Sequence, residues 1–378
     1  MEPLLRLKSF AEQLGSLIDS AAGSSFADGC INDETFEGLS LELFRFQVAS
    51  NPCYRRLIEY SKVDPATIAS WREIPCVPTA AFKEMDLTSL PAESRTHVFR
   101  SSGTTQASRG RHYHFGDSLA LYEKSLLDWF RFHLCGSTGE VSLGTLCIMT
   151  PPAHSVPESS LIHMFDVVRR ARGFVSSEFY GALSSGGGWE LQVERLIQAL
   201  DEWSRACEPV LLVGTAFNFV QLLDGLAARG ERLSLPVGSR LLETGGYKGR
   251  TRELSKEELY EELGKALGVS SDQIVSEYGM SELSSQAYDH LIGTGLNSSV
   301  PRYFRFAPWA RVQVVSPETG REVGVGERGL IQVYDLANVW SVMAIQTEDL
   351  GVRHIDGVEL IGRAEMAEAK GCSLMPED

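Results

Sequence analysis

Three polar stretches of this chain hold side chains that can do chemistry, and each interrupts or ends an apolar run. The first is SSGTTQASRGR, residues 101–111. Ser101, Ser102, Thr104 and Thr105 are short hydroxyl donors, and Gly103 lets the backbone approach a ligand closely, which is what phosphate oxygens require. A solvated hairpin turn has the same composition, and the GxxxxGK[ST] spacing of a Walker loop is absent. The second stretch is SEYGMSEL, 276–283. There Tyr278 could stack on an adenine, Ser281 could reach a phosphate, and Glu282 could hold Mg²⁺ through its carboxylate, with Gly279 making the turn. A strand end followed by an ordinary helix start would use the same residues. The third is IQTEDLGVRHIDGVELIGR, 345–363, where Asp349 could accept both hydroxyls of a ribose and Arg363 could reach the same sugar. The alternative for this stretch is a charged loop between two edge strands.

The remaining reactive side chains are scattered. Cysteines stand at 30, 53, 76, 135, 147, 207 and 372, with no CxxC and no paired Cys/His spacing, so neither a disulfide framework nor a structural zinc site is indicated. Cys372, in KGCSLM, is by its residues alone a lone thiol, favoured as thiolate by Lys370 and disfavoured by Glu368 and Glu377. His112 and His114 share a strand face but lack a third ligand, and His154 in PPAHS reads as a loop histidine.

The elements that must position these groups alternate. Residues 1–95 are mainly helical in pattern, up to the proline-punctuated WREIPCVPTAAF. THVFRSS and RHYHF read as the two strands of a hairpin around the first polar stretch. A helix follows with Leu119, Tyr122, Leu126, Trp129, Phe130 and His133 on one face. Then TLCIMTP, PVLLVG, SRLLET and QIVSEYG read as buried strands separated by helices near 159–172, 188–206, from 216 and after Ser255, whose spacing to Glu258 is that of a capping box. Strands alternating with helices predict a mostly parallel sheet covered on both faces, with ligands at the carboxyl ends of its strands. After about 300, ARVQVVS and GLIQVYD alternate as in a small antiparallel subdomain. The expected organisation is a helical part at 1–95, an α/β nucleotide-binding core at 96–300, a small β subdomain at 301–363 and a tail at 364–378.

Composition bounds the partners. A formal net charge of −15 argues against nucleic acid and anionic membrane surfaces as main partners. The longest apolar region, 209–223, is broken by Gly214, Thr215, Asn218 and Gln221 and is too short to span a bilayer. The N-terminus lacks the unbroken apolar stretch of a signal peptide, so a cytoplasmic protein that is not integral to a membrane is expected.

Taken in order, the three stretches resemble the adenylate-forming superfamily of acyl-CoA synthetases, firefly luciferase and peptide-synthetase adenylation domains. The resemblance lies in a Ser/Thr/Gly loop, then YGxxE, then TxDLG…DG…GR. ETGGYKG, 243–249, falls where that superfamily places the turn lining the adenine, which adds Gly245 and Gly246. Arg109 stands near a usual lysine, Gln106 where glycine is common, and Glu348 where TGD would put glycine. Only 15 residues follow Arg363, so the usual C-terminal domain and its lysine are expected to be missing. With SSGTTQAS, ESSLIHMFD and the tail, the chain looks like the acyl-protein synthetase of the bacterial luminescence fatty-acid reductase system. The resemblance implies that ATP and Mg²⁺ activate a long-chain fatty acid as acyl-AMP, with Glu282 and Arg109 at the reaction. It further implies that Cys372 takes the acyl group as a thioester for a partner acyl reductase. An acyl-CoA ligase and a non-catalytic nucleotide-binding subunit are the alternatives.

Overall fold

The computed structural model describes residues 2–24, 26, 30–101, 109–135, 144–184, 188–246, 252–293 and 302–363. Within them the chain is a mixed α/β structure. Its main sheet has seven strands in the spatial order Arg305–Phe306, Ala287–Tyr288, Ile274–Tyr278, Arg240–Thr244, Val210–Thr215, Thr145–Ile148, Ser176–Phe179. The last five run parallel, and the first two are added antiparallel at one edge. The central strands are buried along their whole length, so they read as continuous apolar runs.

Side-chain alternation sorts these strands into two cores. Leu146, Ile148, Leu211, Val213, Leu242 and Val275 face a cluster that includes Leu126 and Phe130 of the helix Gly116–Cys135 and Phe165 of Ser160–Arg170. Cys147, Leu212, Leu241 and Ile274 face the other cluster, with Leu200, Phe219 and Leu263 from Val193–Ala206, Ala216–Arg229 and Lys256–Leu267. Period two in the strands and helices on both faces follow from one pattern. All six residues predicted for one face of Gly116–Cys135 are buried. The Ser255–Glu258 capping box forms, with Ser255 N–H donating to the glutamate at 2.8 Å and Glu258 N–H to the serine hydroxyl at 3.2 Å.

A second sheet is antiparallel through Ala310–Val315, Arg328–Asp335, Ala344–Arg353 and Val358–Arg363. A two-residue strand from the N-terminal part, Val77–Pro78, joins it in parallel beside Ile345 and Gln346. Buried Gln47, on the helix Asp33–Ser50, strengthens this link. Its amide donates to Asn338 O at 2.7 Å and Val339 O at 3.1 Å, and its oxygen accepts from Met343 N–H at 3.0 Å. The early helices and the late sheet thus share one hydrophobic core, from Leu7 to Val358.

One local expectation and one alternative reading differ from the structure. Residues 189–191, placed in a helix by their periodicity, form a strand paired with Gly181–Leu183, and the helix begins at Val193. Gly181 permits this hairpin, because a β-carbon there would stand 2.3 Å from the carbonyl carbon of Thr150. Asp349 lies within a strand opposite Arg363, beside a register shift at Leu350/Gly351, and not in a loop.

Candidate active site

The hairpin His97–Arg100/Arg111–His114 carries the first polar stretch, and its neck is firmly built. Gly110 N–H donates to Ser101 Oγ at 2.7 Å, and Ser101 N–H donates to Gly110 O at 3.1 Å. Arg109 closes the neck: its Nε donates to Ser101 O at 2.7 Å, and its guanidinium lies 3.6 Å from Glu158, which also pairs with Arg100 at 2.7 Å. Arg109 is therefore engaged with the hairpin's own backbone. Ser102, Gly103, Thr104 and Thr105 lie outside the described residues.

Glu282 meets this neck. A β-carbon on Gly110 would stand 2.8 Å from Glu282 Oε1 and 3.1 Å from Ser101 Oγ, so hairpin and carboxylate meet closely at this glycine. The 276–285 segment is held from several sides. The His112 ring donates from Nδ1 to Ser281 O at 2.8 Å. Asn338 donates to Glu282 O at 2.8 Å, and the Asp335 carboxylate accepts from Ser284 N–H at 2.8 Å and Ser285 Oγ at 2.7 Å. Ser281 Oγ donates to Glu282 Oε2 at 3.0 Å. Burial raises the Glu282 carboxyl above its ordinary value; Ser281 and Lys83 oppose the rise, and the charge of Glu348 adds to it. The Glu277 side chain packs over Gly279: a β-carbon there would stand 2.3 Å from Glu277 Oε1 and would require that side chain to move.

Tyr278, at the end of Ile274–Tyr278, donates from its hydroxyl to Asp349 Oδ2 at 2.9 Å. Its ring lies 5.6 Å from that of Phe304 and 6.1 Å from that of Phe306, and both Tyr278 and Phe304 are buried. Asp349 lies 3.6 Å from the exposed guanidinium of Arg363. Burial raises the Asp349 carboxyl, while Tyr278 and Arg363 lower it and Glu348 raises it further. Gly245 and Gly246 follow the strand Arg240–Thr244, whose last residue pairs in parallel with Glu277, so both strands open toward the same end. Gly246 has φ +104°, a conformation that favours glycine. Cys372 lies outside the described residues.

The structure thus brings Ser101, Gly110, Ser281 and Glu282 together, and joins Tyr278, Asp349 and Arg363 next to them through the chain from 278 to 282. Whether the residues suit a magnesium nucleotide is tested by the carboxylates. Among the described residues no group of three or more His, Cys, Asp or Glu could hold a metal ion. Glu282 is buried, Ser281 and Lys83 offset the effect of burial only in part, and Glu348 adds like charge. One destabilised carboxylate beside the hairpin neck suits an ion that takes one or two protein carboxylates and completes its shell with phosphates and water, as Mg²⁺ does. The donor set fits.

Residues 175–378 match the family model described as acyl-protein synthetase, LuxE. The chain belongs to the LuxE acyl-protein synthetase family. The match begins after the hairpin, so the first polar stretch lies outside it. No curated protein matches. Among solved structures, 2-hydroxyisobutyryl-CoA ligase in the postadenylation state, in complex with 2-HIB-AMP, superposes with a TM-score of 0.66 at 14% identity, over 89% of this chain and 69% of that one. The open conformation of the ligase, in complex with 2-HIB-AMP and CoA, gives 0.64 at 15% identity, over 88% and 69%. At such identity the likeness is one of fold, that of adenylate-forming ligases. Among the described residues, no helix is long and apolar enough to cross a membrane.

Several positioning groups in this family member were not found from sequence. His112 attracted notice as half of a histidine pair, but its bond to Ser281 O was not foreseen. Asp335 ends a strand that was read correctly and Asn338 lies in the turn beyond it, and only the tertiary packing brings them to 282–285. Lys83 carried no local signal at all.

Proposed function

We propose that the protein uses ATP to convert a long-chain fatty acid to acyl-AMP, then passes the acyl group to Cys372 as a thioester for delivery to an acyl reductase. The observation that carries this reading is the meeting of Glu282 with the neck of the Ser/Thr/Gly loop, in a chain of the acyl-protein synthetase family. In this reading 96–300 carries the nucleotide, with Ser101–Thr105 on the β and γ phosphates and Ser281 on the α-phosphate. Asp349 and Arg363 hold the ribose, Tyr278 orients Asp349, and Gly245 and Gly246 line the adenine. Arg109 acts through the loop, by holding its neck closed.

An oxygen of the fatty acid carboxylate attacks the α-phosphorus, and the bond to the bridging oxygen breaks, so pyrophosphate leaves with the electron pair. When bound at Glu282, Mg²⁺ would neutralise phosphate charge. Fixed hydroxyl and amide donors around the phosphates need no reorganisation as charge shifts, which is the larger source of such catalysis. The Cys372 thiolate then attacks the acyl carbonyl of the mixed anhydride, AMP leaves, and a thioester remains.

A second reading is an acyl-CoA ligase, favoured by the CoA-bound form of the structurally similar ligase. Exchange of labelled pyrophosphate into ATP, dependent on a fatty acid, tests adenylation. Intact mass after incubation with ATP, Mg²⁺ and the acid tests the thioester. An acyl adduct on the wild type that is absent from Cys372→Ser is expected. Exchange without any adduct, with acyl-CoA formed when CoA is added, would favour the ligase, and no exchange with any acid would remove both.

A further inference from the structure

The topology of the second sheet brings the segment that carries Lys83 to the hairpin neck where Glu282 lies. The strand Val77–Pro78 runs parallel beside Ile345 and Gln346, and Thr79 N–H extends the pairing to Gln346 O at 3.0 Å. Both segments therefore run on toward the same end: 79–84 beyond the short strand, and Thr347, Glu348 and Asp349 further along Ala344–Arg353. The short helix Ala81–Glu84 then wedges against the hairpin neck. Phe82 is fully buried, its ring 6.3 Å from that of His112. Its β-carbon lies 3.3 Å from the point where a β-carbon on Gly110 would stand, and that same point is 2.8 Å from Glu282 Oε1. Helix, neck and carboxylate meet at Gly110. Arg111 fixes the backbone of Lys83 by donating to its carbonyl at 3.2 Å while pairing with Asp86 at 3.1 Å.

The other cations around the neck are committed. Arg95 and Arg111 pair with Asp86, Arg100 with Glu158, and Arg109 with Ser101 O and Glu158. The ammonium of Lys83 makes no hydrogen bond or ion pair among the described residues, and it is the cation whose charge acts on Glu282. A flexible ammonium without an ion-pair partner, on a helix packed at the neck, suits a polyphosphate.

We infer that Lys83 binds the β and γ phosphates of ATP and stabilises pyrophosphate as it departs. This rests on the ATP-site reading above. The test measures binding of Mg·ATP, Mg·pyrophosphate and AMP to the full-length protein by titration calorimetry, for wild type, Lys83→Met and Lys83→Arg. Expected for Lys83→Met is a loss of at least about tenfold for Mg·ATP and Mg·pyrophosphate, with AMP changed less than about twofold, because one charge-assisted contact is removed. Lys83→Arg should keep most of the affinity. An equal loss for AMP and ATP would assign Lys83 a structural role, and an unchanged ATP affinity would leave it none; either overturns the inference while the ATP site stands. If the wild type binds neither nucleotide, the ATP-site reading itself falls and Lys83 with it. Melting curves accompany each variant, and Lys83→Gln replaces Lys83→Met if the latter melts early.

Discussion

The hydroxyl of Tyr278 donates to Oδ2 of Asp349 at 2.9 Å, across 71 positions of sequence. This bond ties the end of the strand Ile274–Tyr278 to the carboxylate proposed to hold the ribose. Asp349 is raised by burial and Tyr278 is its closest compensating donor. Tyr278→Phe leaves the carboxylate with one donor fewer in a partly desolvated place, which costs about 1–2 kcal/mol in stability. If Asp349 holds the ribose, the same change raises the KM for ATP by about tenfold and alters kcat less. Pyrophosphate exchange at varied ATP, beside urea unfolding, separates the two effects. An unchanged KM would confine the bond to a structural role.

Glu282→Gln should separate stability from activity. Folding raises the Glu282 carboxyl above its ordinary value, so the ionised group is destabilised near neutral pH. The amide carries no charge and keeps the size, so the melting temperature should hold or rise. Exchange activity should fall by about a hundredfold or more if this carboxylate holds the magnesium nucleotide. A variant that keeps its activity would remove Glu282 from the reaction.

Gln47→Ala tests the link between the early helix and the late sheet. Three hydrogen bonds to backbone groups of 338–343 are lost, and those buried groups keep no partner from Gln47. A loss of about 3 kcal/mol is expected in urea unfolding, and Gln47→Glu should recover little, because it cannot donate to Asn338 O and Val339 O when ionised. Because Asn338 also holds Glu282 O, some activity should be lost with stability.

How far the sequence could be read follows from what each feature depends on. The parallel strands were legible because they are buried on both faces and leave apolar runs such as PVLLVG. The helix Gly116–Cys135 was legible because a single face is apolar. The meeting of Glu282 with Gly110 had no local signal, since it depends on how the hairpin packs against the 276–285 segment. Val77–Pro78 was missed because two residues are too few for any period, although this pair carries Lys83 to the second sheet. The strand at Trp189–Leu191 was misread because its residues also continue the helical pattern of 193–206, and pairing with Gly181–Leu183 decided the outcome.

Glu277→Gln predicts a change in pH dependence whose sign is set by burial. Burial first, and then the nearby charge of Glu243, push the Glu277 carboxyl from an ordinary 4.5 up to about 8. The folded state therefore binds more protons than the unfolded chain between those values. Stability from the protonated group is complete below the unfolded value and is lost as pH rises through the folded one, at up to about 1.4 kcal/mol per pH unit. His112 and His133 work with the opposite sign. Burial lowers both from 6.5 to about 4, so their contribution is present above 6.5 and is lost as pH falls below it. Between about pH 7 and about pH 8 the histidine contribution is flat and Glu277 still titrates. Urea unfolding across that window should show the wild type losing about 1 kcal/mol more than Glu277→Gln. Equal slopes for the two proteins would mean that Glu277 is already ionised in the fold, and that Gly279 leaves room for a hydrated carboxylate.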